Sequence, residues 1–553
     1  MLLMSTFASY KQHPPGDERF DALVIGSGIG GLAAAALLAK HAGKRVLVLE
    51  RHYTAGGFTH VFHRPGYEWD VGVHYIGEVH DRASQVRKMF DHVTEGRLEW
   101  NPMPDVYDRM LIGDRSYDFV SGRRRFGEQM KSYFPGEAAA LDSYMDLVDQ
   151  AARATSLFFA EKAIPPLAAR MFGGLLRGRF LRHACRTTAE VLRDLTSNRE
   201  LIAVLTGQWG DYGLPPGESS FGVHALIARH YFEGASYPVG GASSIAHSIA
   251  PLIEQAGGKI LVSAEVAEIL VDQQNRARGV RMADGRELRA DIVVSDAGAG
   301  NTFSQLLRTP SPGRTKVLEQ LNAIPPSMSH LCLYVGLRRR PGDPLLGGTN
   351  LWIFPGNDHD LNVRQFCENP EAPFPLLFVS FPSEKDPDFE QRHPGRATIE
   401  VVTLARYEWF AAWQQGRWKN RGSGYDELKR RFTERMLDEL QKHVPAVNGR
   451  IDYCELSTPL STRHFANYQN GEVYGLSATP ARFQSRGLQP RTPVNNLFLT
   501  GQDAAVAGVT GALAGGVLAA SAILGRNLMG AIAREKPEAR RQTPLSAPLR
   551  RAS

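Results

Sequence analysis

Cysteine is scarce here, four residues in a chain of 553, and Cys185, Cys332, Cys367 and Cys454 stand far apart. Neither a zinc knuckle nor a redox dithiol fits that spacing, so reduced thiols in a cytoplasmic compartment are expected. Metal ligation has little basis either. His60 and His63, and His74 and His80, come as pairs with no carboxylate at ligand spacing, and no metal is expected. The excess of basic residues is small, 64 Lys and Arg against 58 Asp and Glu. They are dispersed among apolar residues and form no basic arm or nucleic-acid motif, which excludes nucleic acid as a partner. The surplus favours anionic surfaces such as lipid head groups. Residues 1–19 lack the long apolar stretch and small-residue cleavage site of a leader, and a loose tail is expected there.

What the chain does contain is a nucleotide-binding unit at residues 20–57. An apolar run at 20–25 reads as a buried strand and passes directly into Gly26, Gly28, Gly30 and Gly31. Gly26 allows a tight turn, Gly28 lets a pyrophosphate approach the backbone, and Gly31 lets the next helix pack on the strand. An Ala- and Leu-rich helix over 32–41, stopped by Gly43, leads to a second strand at 45–49. Glu50 follows. A carboxylate roughly 20 residues past the glycines accepts ribose hydroxyls and disfavours a 2′-phosphate. A second glycine pair, Gly56 and Gly57, offers another close backbone approach and favours FAD over NAD.

At 43% hydrophobic residues the chain supports at least two domains. Residues 88–201 read as mainly helical. Within them 151–186 mixes Phe and Leu with Arg153, Lys162, Arg170, Arg177, Arg179, Arg182 and Arg186, the composition of a segment docking on a bilayer surface. Alternation over 259–298, with a turn at Asp284 and Gly285, reads as a small antiparallel meander whose third strand is 292–294. Apolar runs between 329 and 406 read as strands of a second sheet, and charged helices follow at 425–443. Near the end, a strand at 497–500 leads through Gly501 and Asp503 into a helix rich in small residues. Gly508, Gly511, Gly515 and Gly516 favour a tightly packed helix aimed at a ligand over a membrane span.

The run Trp69, Asp70, Val71, Gly72, Val73, His74, Tyr75, Ile76, Gly77, placed after the glycine fingerprint, resembles the carotenoid and retinoid oxidoreductases of the phytoene desaturase superfamily, nearest to their retinol saturase branch. The Tyr237, Pro238, Gly240, Gly241 element and the segment holding Thr458, Pro459, Gly471, Tyr474 and Gly475 are similar to others in that family. The resemblance implies an α/β protein: a discontinuous, Rossmann-like FAD domain of glutathione-reductase type with an inserted α+β substrate domain. The FAD domain would comprise residues 20–80, 237–300 and 491–530. The substrate domain would comprise 81–236 and 301–490, with 151–186 as its docking segment, and 531–553 would be a basic disordered tail. The implied cofactor set adds Arg51, the Val266 backbone, Gly501, Asp503, Gly508, Thr510 and Gly511 to Gly26, Gly28, Gly30, Gly31, Glu50, Gly56 and Gly57.

The implied substrate is a long apolar isoprenoid, and the chemistry is hydride exchange at a C–C or C=C bond. Reduction of an alkene also needs a proton. His74, Tyr75, Tyr212 and Tyr474 are the candidate donors. Saturation, desaturation and isomerisation stay open, because a flavin serves all three. There is no second dinucleotide fingerprint, so NAD(P)H as reductant would bind transiently. Two other readings share the fold plan: a flavin amine oxidase, and a non-catalytic lipid carrier like the Rab GDP-dissociation inhibitors.

Overall fold

The computed structural model describes residues 7–535 except position 165, with the side chains at 166–168 and 170 left aside. Two sheets organise it. The first has six parallel strands in the order Ala8–Ser9, Lys259–Val262, Val46–Leu49, Ala22–Ile25, Ile292–Ser295, Leu497–Leu499. Its central strands, ALVI and VLVL, are buried at every position, the unbroken apolar pattern of a parallel sheet covered on both faces. Helix Ile29–Ala42 covers one face and ends at Gly43, whose left-handed backbone lets its N–H reach the Ala39 carbonyl. Helix Val509–Leu524 packs on it at very short range: a Cβ on Gly516 would lie 2.6 Å from the Gly30 carbonyl oxygen. Strand order reverses at Ala22–Ile25, which has the next strand in sequence, Val46–Leu49, on one side and the much later Ile292–Ser295 on the other. A crevice opens at the carboxyl ends of strands at such a switch point.

The antiparallel meander comprises Val266–Val271, Ala277–Met282 and Glu287–Arg289. Ile292–Ser295 is not its third strand. It crosses into the parallel sheet and pairs with Ala22–Ile25 and Leu497–Leu499. Its β-branched residues fit a strand in either sheet, and only the partner distinguishes them. The expected loose tail is also corrected from residue 7 onward. Ala8–Ser9 pairs with Leu261 and Val262, and Phe7 and Tyr10 are buried. At the other end Leu528–Arg534 is helical with Ile532 buried; the rest of the expected tail, 536–553, lies outside the described residues, as do 1–6.

The second sheet has seven strands: Ile451–Ser457, Ser329–Arg338, Arg396–Ala405, Leu377–Ser380, Asn350–Phe354, Val106–Ile112 and Arg115–Val120. The last two form a hairpin inside the region expected to be helical. Gly113 at φ +57 and Asp114 make its two-residue turn, a pairing that suits the twist of a hairpin. Helices including Ala138–Ala163, Pro166–Ala184 and Phe221–Tyr231 share one hydrophobic core with this hairpin. Among the described residues no single helix is long and apolar enough to cross a membrane, and Val509–Leu524 meets Leu528–Arg534 at 117°.

Candidate active site

One cavity of about 1450 Å³ runs from the carboxyl ends of the parallel strands to the face of the seven-stranded sheet. Ordinary ligand pockets hold ~300–1,000 Å³. The larger volume suits a dinucleotide and a second molecule together.

At the first end the wall is backbone. Gly26 has φ +94, and Gly28 bridges to Gly56. A Cβ on Gly30 would fall 2.5 Å from Gly501 Cα, and one on Gly57 would fall 2.9 Å from Gly28 Cα. Only glycine lets these segments close on one another around an anion at the N-terminus of Ile29–Ala42. Val266, Gly501, Gly508, Thr510 and Gly511 all line the cavity, as do Gly26, Gly28, Gly30, Glu50, Arg51, Gly56 and Gly57. Gly31 lies behind this surface, its Cβ position 2.5 Å from the Gly26 carbonyl oxygen, as close helix packing requires. The dinucleotide cradle therefore fits FAD. Gly511 serves the fold as well: its Cβ would meet the Val506 carbonyl oxygen at 2.0 Å.

Three carboxylates stand at this end. Glu50 accepts from Ser27 N at 2.8 Å, Ser27 Oγ at 2.7 Å and His52 N at 2.8 Å, which fixes its orientation beside the cavity. Asp503 is tied to backbone, accepting from Ala299 N at 2.8 Å and Leu476 N at 3.2 Å. It thereby clamps three loops together. Asp296 was not anticipated. It follows strand Ile292–Ser295, lies over the glycine turn and lines the cavity. A Cβ on Gly28 would meet its Oδ2 at 2.5 Å, so Gly28 is required by this carboxyl as well as by a ligand. Burial, with Glu50 and Asp503 nearby, pushes Asp296 up to about 8.

At the second end the wall is side chains: Trp352, Leu376, Phe378, Val402, Leu404 and Tyr231. His74 and Tyr75 reach it, and the Tyr75 ring stacks on Tyr231 at 4.4 Å. His74 Nδ1 lies 2.8 Å from Glu400 Oε2, without the alignment of a hydrogen bond. Burial and the Lys385 ammonium push His74 down to about 3, while burial pushes Glu400 up. His74 is therefore neutral at pH 7 and ill suited to give a proton. Tyr474 also lines the cavity, but burial pushes its phenol above the ordinary value. Tyr212 does not line it. Its hydroxyl points into the helical layer, 3.2 Å from His224 Nδ1, and the side chain is buried. Its neighbour Asp211 faces the cavity instead.

Two further expectations change. His63 does have a carboxylate nearby, because hairpin register sets it opposite Glu68; His63 Nδ1 and His393 Nε2 each lie 3.6 Å from Glu68 Oε2. Arg392 donates to the other oxygen at 2.8 Å, making the group an ion-pair cluster. In the docking segment, Arg177 is buried and donates to the Phe483 carbonyl at 2.6 Å, and Lys162 donates to the Leu488 and Ala504 carbonyls at 2.8 Å each. These two cations hold the fold and do not meet lipid. The Tyr237 element lies behind the cavity as well: the Tyr237 hydroxyl and Ala242 N both donate to Asp70, fixing the segment that carries His74 and Tyr75.

A family model described as flavin containing amine oxidoreductase matches residues 29–524. The chain is 39% identical over 529 residues to the all-trans-retinol 13,14-reductase of Danio rerio, covering 92% of this chain and 87% of that protein. It is 25% identical to prolycopene isomerase 2 of an Oncidium hybrid cultivar over 83% of this chain and 75% of the other. Among solved structures, putrescine oxidase bound to putrescine superposes with a TM-score of 0.58 at 16% identity, over 92% of this chain and 99% of that one, a likeness of fold alone.

Proposed function

From the premise that this chain belongs to the flavin-containing amine oxidoreductase family, we propose that it is an FAD-dependent oxidoreductase acting on a carbon–carbon double bond of a long apolar isoprenoid, a retinoid first of all. The observation that carries this reading is the single cavity, with a glycine-built dinucleotide cradle at one end and an apolar, aromatic lobe at the other. Retinol 13,14-reductases align over nearly the whole chain, and the lobe matches such a substrate better than a small amine.

FAD, when bound, supplies hydride chemistry at its ring. The protein positions and shields. The Gly26 to Gly31 turn would hold its pyrophosphate, Glu50 and Arg51 its ribose end, and Gly508, Thr510 and Gly511 its ring. Trp352, Phe378 and Leu404 exclude water from the substrate. NAD(P)H is the proposed transient reductant.

An insoluble substrate needs a route from the bilayer, and the hairpin of Ala138–Ala163 and Pro166–Ala184 is the proposed docking face. Leu157, Met171, Phe172 and Leu175 are exposed there, Leu175 at 79%. Arg179 and Arg182 are exposed on the second helix and Arg186 just beyond its end, while Arg153 and Ser156 are exposed and also line the cavity, so a mouth opens at this hairpin. Each Arg near an anionic surface contributes on the order of 1 kcal/mol.

The test is anaerobic incubation of photoreduced holoprotein with retinol, lycopene and phytoene, followed by product analysis. A dihydro product from retinol is expected; isomerised lycopene with intact retinol would make the protein an isomerase. Sedimentation with anionic liposomes is expected to fall for the Phe172→Asp, Leu175→Asp variant and for Arg179→Glu, Arg182→Glu. Unchanged sedimentation of both would remove this hairpin as the docking face.

A further inference from the structure

We propose that Asp211 is the catalytic acid of double-bond reduction, held at the apolar lobe of the cavity by a hydrogen-bonded chain through Tyr75 to Asp108. This inference rests on the reading of the chain as a double-bond reductase.

Asp211 ends the short turn Trp209–Asp211 and lines the cavity. Glycines on either side press the turn against the lobe: a Cβ on Gly210 would meet the Trp352 ring at 2.8 Å, and one on Gly213 the Tyr474 ring at 2.9 Å. The Tyr75 hydroxyl lies 3.2 Å from Asp211 Oδ2 and 2.9 Å from Asp108 Oδ2. Asp108 also accepts from Gln208 Nε2 at 2.8 Å and Asn350 Nδ2 at 2.9 Å, and Lys385 bonds to Asn350 from behind. Burial pushes Asp108 up too, but Tyr75, Gln208 and Asn350 all donate to it whereas Asp211 meets Tyr75 alone, so Asp108 is the better stabilised of the two as an anion and forms the accepting end of the chain. Two carboxyl groups joined through one phenol in apolar surroundings do not both ionise. The proton stays on Asp211, the member facing the cavity.

The charges around it agree. Burial and the Asp108 carboxylate push Asp211 well above the usual carboxyl range. The phenols facing it, Tyr75, Tyr231 and Tyr474, are all pushed above theirs. The imidazoles His74 and His330, which also line the cavity, are pushed down to about 3 and about 4 by burial and so carry no imidazolium proton to give at neutral pH. Beside these phenols and imidazoles Asp211 is the carboxyl group, a stronger acid than the phenols, and burial next to Asp108 favours its protonated form, which suits it to give a proton up.

In the step, Asp211 would give its proton to one alkene carbon as the π pair is taken up, while reduced FAD, when bound, would supply the hydride and its two electrons to the neighbouring carbon. The Asp211 carboxylate left behind accepts the Tyr75 hydrogen in place of Asp108, a charge-assisted bond that stabilises it, and solvent reprotonates it between turnovers.

The full-length holoprotein is tested as Asp211→Asn and Asp211→Glu. Asp211→Asn is expected to bind FAD and retinol as the native protein does, yet to slow reoxidation of photoreduced flavin by retinol at least about a hundredfold. Asp211→Glu is expected to recover part of the rate with a displaced pH profile. A native minus Asp211→Asn infrared difference spectrum at neutral pH is expected to show a protonated carboxyl C=O stretch. Near-native reduction by Asp211→Asn overturns the proposal, and so does the absence of that stretch. Should native protein leave retinol unreduced, the substrate reading fails by itself, and the infrared arm still decides whether Asp211 holds the proton.

Discussion

Where the cavity meets the parallel sheet its wall is mostly main chain, with Gly30 too close to Gly501, and Gly57 too close to Gly28, to admit a Cβ between them; where it meets the seven-stranded sheet its wall is rings and buried carboxyls. At Gly30 and Gly57 the first wall tolerates no added atom, because the atoms it would meet are backbone and cannot rotate away. The second has side chains that repack, so it tolerates changes of shape more readily than changes of charge. Binding of the cofactor and choice of chemistry are thus separate problems, solved by different kinds of surface.

The difference is tested most severely by Gly30→Val. Its Cβ would fall 2.5 Å from Gly501 Cα and 2.6 Å from Gly501 N, and overpacking of this kind costs about 3 kcal/mol at its upper end. The protein carries that strain with or without FAD, so it lowers stability, and Gly501 pushed out of the cradle is expected to cost stoichiometric FAD binding as well. The purified variant is expected to be colourless, and a normal flavin spectrum at stoichiometric FAD would break the comparison.

A smaller effect is expected at Asp296. Its folded-state value of about 8 stands above the ordinary 3.8, so the folded chain keeps a proton that the unfolded chain has released. The Asp296 contribution is fully present below the ordinary value and declines as pH rises toward the folded one. Asp296→Asn keeps a neutral group and removes the linkage. Its melting temperature relative to native protein is expected to rise from pH 5 to pH 8; a difference independent of pH would mean that Asp296 is ionised throughout.

The smallest effect is expected at Tyr212→Phe, which removes one hydrogen bond to His224 and about 1 kcal/mol of stability. Turnover with retinol should not change, because the side chain lies outside the cavity. A large loss of kcat with an unchanged melting temperature would return Tyr212 to the site.

Much of the first wall could be read from residue order. Gly26 to Gly31 sit between a strand and a helix that the local apolar pattern already specifies, and a turn of this kind needs glycine whatever lies around it. The second wall could not be read so. Tyr212 and Asp211 are adjacent in a tight turn, and sequence alone did not say which of them faces the substrate. Asp296 looks like any acid after a strand until Ile292–Ser295 is seen to pair beside the glycine turn. Arg177 and Arg179 share one basic helix, and only packing against the 483–485 carbonyls shows that the first is buried and the second is not.

By itself the sequence determined the strand, glycine turn, helix and acid of the dinucleotide unit, since each depends on neighbours a few residues away. The tertiary structure alone decided which strand joined which sheet, as with Ile292–Ser295 and the hairpin at 106–120, and which side chains met in the apolar lobe. The physical reason is range. Backbone conformation is set by local sterics and hydrogen bonding, whereas the ionisation of Asp211 depends on Tyr75 and Asp108, residues far off in sequence that only the fold brings together.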